Sequence, residues 1–430
     1  MLPCCSAMDT AVVMYVLLLS EAARGIVLPS LTEGILESGG SLATVAAAIA
    51  LFSLGRLVAT LPLAYLAEWQ STRASVIAAC ATSVVGHVLY ANFAGVSDAQ
   101  TIVLVSRFLI GVGTGTVGTC RGFVAHSSMA DRTRLMAIAG LAQSAGFALS
   151  PSVALVFPGG LALPGICMAL ANLAAVMGAA VWMPSSDPVS SESNDSVSRA
   201  LSSSEEKRAF ALFMVLNVVL RGVLADAEAL VPAERRIVFD GDGTRDQVVA
   251  AARFFFVLGV FGCICFALID PVVKRTRISE RALFVAGVAL VGVGQVFLMD
   301  EVHGASTKLF TAGAVLVWCV GSPITTTFSV SLFSKALGSK PQAVLLSWIT
   351  VAGSIGRIAF PLAGVRMPGV AMWGANAALC ALCAGLIACF VPPSSSSSSS
   401  RKPRRAAVSS TRYGAVDEAG SALLNHSPSP

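Results

Sequence analysis

Twelve apolar runs, each long enough to cross a bilayer and each bounded by charge, proline or serine, occupy most of this 430-residue chain. A spanning helix needs roughly 20 mostly apolar residues at 1.5 Å rise each. The runs fall at 10–33, 42–67, 74–95, 101–125, 134–157, 161–183, 208–227, 248–270, 282–299, 309–333, 342–364 and 369–391. No stretch between them could form a sizeable soluble domain. Charged residues make up only 12% of the chain, against about a quarter in soluble domains. The expectation is an all-α polytopic membrane protein of 12 transmembrane helices. The first run is too long for a cleaved signal peptide and lacks its basic leader, so it reads as a retained first helix.

The basic residues set an orientation. With both ends in the cytosol, seventeen of the 29 Lys and Arg fall on that side, from Arg73, Arg132 and Arg134 to the five in the tail. Five, including Arg235, Arg236 and Arg366, fall on the other, and seven lie within runs. Cytosolic loops carry the excess of Lys and Arg, so both termini are expected inside. The net charge of +5 then describes orientation in a lipid bilayer, and no nucleic-acid partner is expected.

Residues 184–207, PSSDPVSSESNDSVSRALSSSEEK, are serine-rich, acidic and poor in bulky apolar groups. Such a segment cannot bury enough surface to offset its chain entropy. It divides the runs six and six, giving an N-terminal bundle (1–183), a disordered cytosolic linker (184–207), a C-terminal bundle (208–391) and a disordered cytosolic tail (392–430). Two six-helix pseudo-repeats with both ends inside suit a transporter built from parallel repeats.

An enzyme would need a metal cluster, a nucleophile with its base, or a phosphate loop. Four histidines, no His-x-x-x-His and no Gly-x-Ser-x-Gly offer none of these, so no catalytic residue, cofactor or metal is expected. Cys380-x-x-Cys383 has metal or redox spacing but sits alone in an apolar run, where cysteine behaves as a small buried hydrophobe. His87 reads as a satisfied or lipid-interface histidine. A non-transporting membrane scaffold stays open beside transport.

The fourth run reads Arg107-Phe-Leu-Ile-Gly111-Val-Gly113-Thr-Gly115, with Gly111 and Gly115 on one helix face. Small residues at that spacing let backbones approach closely inside lipid. The string resembles the fourth-helix motif of the major facilitator superfamily. Gly146-Phe-Ala-Leu-Ser150-Pro151 is similar to that family's Gly-x-x-x-Gly-Pro, with Ser150 in place of glycine. Between the second and third runs, Glu68 and Arg73 keep an acid and one arginine of the family's loop motif, whose two glycines are missing here. Arg24-Gly25-Ile26-Val27-Leu28-Pro29-Ser30-Leu31 and Gly353-Ser354-Ile355-Gly356-Arg357 further resemble the lysosomal ceroid-lipofuscinosis facilitator branch and the SPX-type vacuolar transporters. The first run begins about ten residues in, so no SPX domain is expected ahead of it. The resemblance implies alternating access to a small-molecule or inorganic anion in an endolysosomal or vacuolar membrane, or a channel-like facilitator there. It also implies a gating role for Glu68 and Arg73; a plain solvated loop is the other reading.

An ionisable group in hydrocarbon costs at least a few kcal/mol, so by default it marks a pathway or a partner. Glu21, Arg24, Arg107, Arg221, Asp226 and Arg357 are the candidate substrate-binding residues. Glu21 and Arg24, three apart on one face, can equally pair with each other. Arg121 and Arg253 are expected to reach an interface, and Glu228 to close the seventh helix. Arginines still outnumber the acids, which favours anions, because a guanidinium cannot deprotonate and matches planar oxyanions. Glu21 and Asp226 are the candidates for carrying protons. In the tail, Tyr413-Gly414-Ala415-Val416 fits a Tyr-x-x-apolar signal for a sorting adaptor that binds an extended strand.

Overall fold

The computed structural model describes residues 7–93, 96, 98–127, 132–152, 162–184, 203–231, 244–276, 278–299, 307–337, 342–367 and 369–391. These are helical almost throughout, and no strand occurs among them. Tyr413, Cys4, Cys5 and most of the expected linker and tail lie outside the described residues.

Each expected run meets one helix or one interrupted helix. The first is α1 (Ala7–Gly25) and α2 (Leu28–Glu37), separated by a turn at Ile26 and Val27 where Pro29 opens α2 without an N–H to give. The second and third are α3 (Leu42–Trp69) and α4 (Thr72–Ala91). The fourth is α5 (Ala99–Gly113), a 3₁₀ turn at Thr114–Thr116 and α6 (Val117–Ser127). Then come α7 (Arg132–Leu149) and α8 (Ala162–Trp182). The second half holds α9 (Ser204–Leu230), α10 (Thr244–Thr276) and α11 (Glu280–Phe297). Its tenth span is α12 (Thr307–Ala314), a π segment at Val315–Gly321 and α13 (Ser322–Leu337). The last two are α14 (Gln342–Gly364) and α15 (Gly369–Phe390).

Among the described residues ten helices are long and apolar enough to span a membrane, and α7 contributes a shorter apolar stretch, Ile138–Leu149. The seventh helix starts earlier than composition suggested. Ser203 accepts from the Glu206 N–H while Glu206 reaches back to the Ser203 N–H, so Ser204–Lys207, expected in the linker, form a first turn.

Serines also cap α4 and α11, and the arginine two residues on ties each helix to its neighbour. Ser71 accepts from the Ala74 N–H and Ser279 from the Ala282 N–H. Arg73 donates to the Met183 carbonyl past α8, and Arg281 to the Ala388 carbonyl near the end of α15. Helix-end bonds match as well, Met183 N–H to Ala179 O in one half and Val391 N–H to Ile387 O in the other. One constant spacing relates Ser71 to Ser279, Arg73 to Arg281 and Met183 to Val391.

The halves meet where α14 packs on α3 and α6, and where α10 packs on α7 and α2. Both seams need small residues. A Cβ at Gly118 would lie 2.8 Å from Ser347 Cα, and one at Gly259 would run into Ala148. The apolar core of the first half admits Ala229 of the second, and a core of the second receives Phe147 of the first.

Candidate functional site

Near the middle of the bundle, five charged side chains form a chain of alternating sign. Arg56 of α3 reaches Glu21 of α1 at 3.2 Å, and Glu21 reaches Arg24 at 3.0 Å. Arg24 faces Glu228 of α9 at 3.6 Å, and Glu228 takes a 2.9 Å bond from Arg357 of α14. The 3.6 Å link crosses between the halves and is the longest of the four. Arg56 is also fixed by the Thr114 hydroxyl at 3.0 Å and the Ser20 carbonyl at 3.1 Å. Buried ion pairs persist only when such further hydrogen bonds satisfy the charges. Arg24 lies over the Phe147 ring at 4.6 Å.

Two other arginines are not in that chain. Arg121 of α6 donates to the Gln143 amide oxygen at 2.6 Å. Arg221 of α9 has no hydrogen-bond or ion-pair partner among the described residues, and neither guanidinium has a carboxylate within 4 Å there. Both line two adjoining cavities of about 90 and 40 Å³ between the halves, together with Glu21, Arg24 and Gln143. Arg221 also lines a third, of about 20 Å³, beside Asn217, Ser322 and Thr325. Gly353 leaves room for the Arg221 stem: a Cβ there would lie 3.1 Å from Arg221 Cγ.

The structure thus brings Glu21, Arg24, Arg221 and Arg357 to the cavities and sets two candidates elsewhere. Arg107 is 1% exposed, stacked on Phe52 at 4.6 Å and bonded to the Ala23 carbonyl. Asp226 accepts from Asn376 at 3.1 Å, against Gly364. Of the two expected proton carriers, Glu21 is held between two guanidiniums and Asp226 meets an amide.

Two sequence readings need correction. Arg121, expected at an interface, is 9% exposed and faces the cavity. The α6 segment runs on to Ser127 and keeps Arg121 a full turn inside. Glu228 falls in the last turn of the seventh helix, as expected, and is 1% exposed. His87 is fully buried with neither ring nitrogen hydrogen-bonded, not satisfied and not at lipid. Arg253 is exposed. In the loop expected to gate, Arg73 bridges to Met183 as described, while Glu68 has no hydrogen-bond or ion-pair partner among the described residues.

Residues 13–361 match the family model described as Major Facilitator Superfamily. The chain belongs to this superfamily. It is 24% identical over 391 residues, covering 73% of this chain and 76% of the relative, to major facilitator superfamily domain-containing protein 8 of Xenopus laevis. Its fold matches the crystal structure of the human organic anion transporter MFSD10 (TETRAN) with a TM-score of 0.64 and 16% identity. That match covers 88% of this chain and 99% of the other. As a major facilitator, the protein is a multi-pass integral membrane transporter of a small molecule rather than an enzyme.

Proposed function

We propose that this transporter moves a small anion by alternating access between its two six-helix halves, with Arg121 and Arg221 receiving the anion. One observation carries the reading. Two guanidiniums from opposite halves line the cavities between them, with no carboxylate partner among the described residues. A buried charge left unpaired is costly, and an anion held by both halves lowers that cost at the point where they move apart. The Arg24–Glu228 contact is the protein's own bridge across the same divide. The human structural neighbour is titled an organic anion transporter, which supports an anionic substrate here.

Purified protein in liposomes should take up anions from a panel of chloride, phosphate and small carboxylates. Arg121→Gln and Arg221→Gln should each reduce uptake about 10- to 100-fold, the effect of losing one charge-assisted hydrogen bond. Parent-level uptake by both variants would sink the reading.

The site of action we propose is an endolysosomal or vacuolar membrane, with the 184–207 side cytosolic. Support comes from the branch resemblance of the first and eleventh helices, the basic-residue asymmetry and the Tyr413 motif. An unchanged distribution of tagged Tyr413→Ala protein would remove that motif from its support.

A further inference from the structure

The larger cavity is lined by two kinds of group. Arg24, Arg121, Arg221 and Gln143 belong to the wall it shares with the 40 Å³ cavity, together with the Glu21 carboxylate, which is paired with Arg24 and Arg56. Phe147, Phe255, Phe266 and Trp318 line the larger cavity alone. Charge therefore gathers where the two cavities adjoin, with Phe147 under Arg24 there, while Phe255, Phe266 and Trp318 line only the larger cavity.

Trp318 stands out among the rings. It is 7% exposed, and its indole Nε1 has no hydrogen-bond partner among the described residues. Its ring meets Phe255 edge-on at 6.1 Å and 85°. It sits on the π segment Val315–Gly321, a rare helical form that gathers at functional sites. The next residue pins that segment, the Cys319 thiol donating to the Leu258 carbonyl at 3.2 Å. A buried indole usually finds a partner for its N–H; here the ring lines the cavity and the N–H has none among the described residues.

We infer that the cavity takes an amphipathic organic anion. Its oxyanion head lies on Arg121 and Arg221 and its apolar body against Phe147, Phe255 and Trp318. Trp318 is a specificity-determining residue, its ring packing on the body and its N–H donating to a ligand oxygen. Ligand pockets are mostly apolar with a few polar groups that fix orientation, and this lining has that division. A halide or inorganic phosphate would satisfy the guanidiniums and leave the aromatic wall unused. The inference rests on the anion reading above and narrows it.

Equilibrium binding to purified protein tests both. The ligands are acetate, benzoate, naphthalene-2-sulfonate, chloride, phosphate and the neutral naphthalene-2-carboxamide. Affinity should rise with the apolar body, the aryl anions binding at least about tenfold tighter than chloride, phosphate or the neutral amide. Trp318→Ala should weaken aryl anions about 10- to 100-fold, the range of a buried aromatic contact, and leave acetate within about twofold. Trp318→Phe, which keeps an aromatic ring but loses the N–H and part of the indole's area, should fall between and covers the case in which the alanine variant does not fold. Chloride or phosphate binding as tightly as the aryl anions, and lost in Arg221→Gln, would overturn the inference and leave the anion reading standing. Aryl binding matched by the neutral amide, or unchanged in both Arg→Gln variants, would overturn both, as would the absence of binding by every anion to folded protein.

Discussion

The fourth and tenth spans hold equivalent places in the two halves, and each departs from a plain α-helix in the opposite sense. The fourth tightens into a 3₁₀ turn at Thr114–Thr116, while the tenth widens into a π segment at Val315–Gly321. The tight turn is braced from within: the Thr114 hydroxyl accepts from Arg56 and donates to the Gly111 carbonyl at 2.8 Å. Either side of it, Gly111 and Gly118 press against Phe52 and Ser347. The wide segment also has close glycine contacts, Gly321 on Val291 and Val317 on Gly294, but its side-chain hydrogen bond to the rest of the fold is a weak one, from the Cys319 thiol. Their cargo differs to match. The fourth span carries Arg107 and Arg121; the tenth has no acidic or basic side chain between Lys308 and Lys335 and carries Trp318. A charge in a low-dielectric interior is tolerable only if its partners stay put. An aromatic wall packs without direction and suits a backbone that is free to adjust.

Substitutions can break this contrast. Gly118→Val should have the largest effect, because a branched side chain would force α6 off Ser347 at the seam between halves. Overpacking costs about 1–3 kcal/mol, and the same displacement should abolish uptake. Thermal unfolding in detergent and liposome flux measure the two, and parent-like values in both would remove the rigid member of the pair. Thr114→Val comes next, since it leaves the buried Arg56 Nε without its acceptor at a cost of about 1–3 kcal/mol, with the helix retained. Cys319→Ala should be smallest, under about 1 kcal/mol, because a thiol is a weak donor. An equal or larger loss in Cys319→Ala than in Thr114→Val would show that the π segment is as tightly braced as the 3₁₀ turn.

All twelve spans could be read from hydropathy, since lipid imposes one length and one polarity on any helix that crosses it. The central charges were harder to place for a related reason. Glu228 closes the apolar run and lies in the last turn of its helix, which ends at Leu230, but the sequence does not show that it meets Arg24 and Arg357. Nothing in the sequence around Arg56 shows its place in the charge chain, because its partners Glu21 and Thr114 are remote in sequence. Arg121 and Gln143 meet only through the packing of α6 on α7. Conversely, Arg107 sits in the motif most easily recognised and proves to be packed against Phe52 away from the cavities. Spacing along a helix shows which face a residue occupies. It does not show what that face meets.

The serine caps and arginine ties at the starts of α4 and α11 bear on how the two halves have changed through time. Ser71, Arg73 and Met183 keep one constant distance in sequence from Ser279, Arg281 and Val391. A net insertion or loss anywhere between the cap and the final helix of either half would have broken that correspondence. If the halves descend from one copied unit, these stretches have diverged by exchanging letters without changing length, and a 3₁₀ turn and a π segment arose within the same count. Comparing helix lengths across related transporters would test that history, and unequal lengths between cap and final helix in most of them would contradict it.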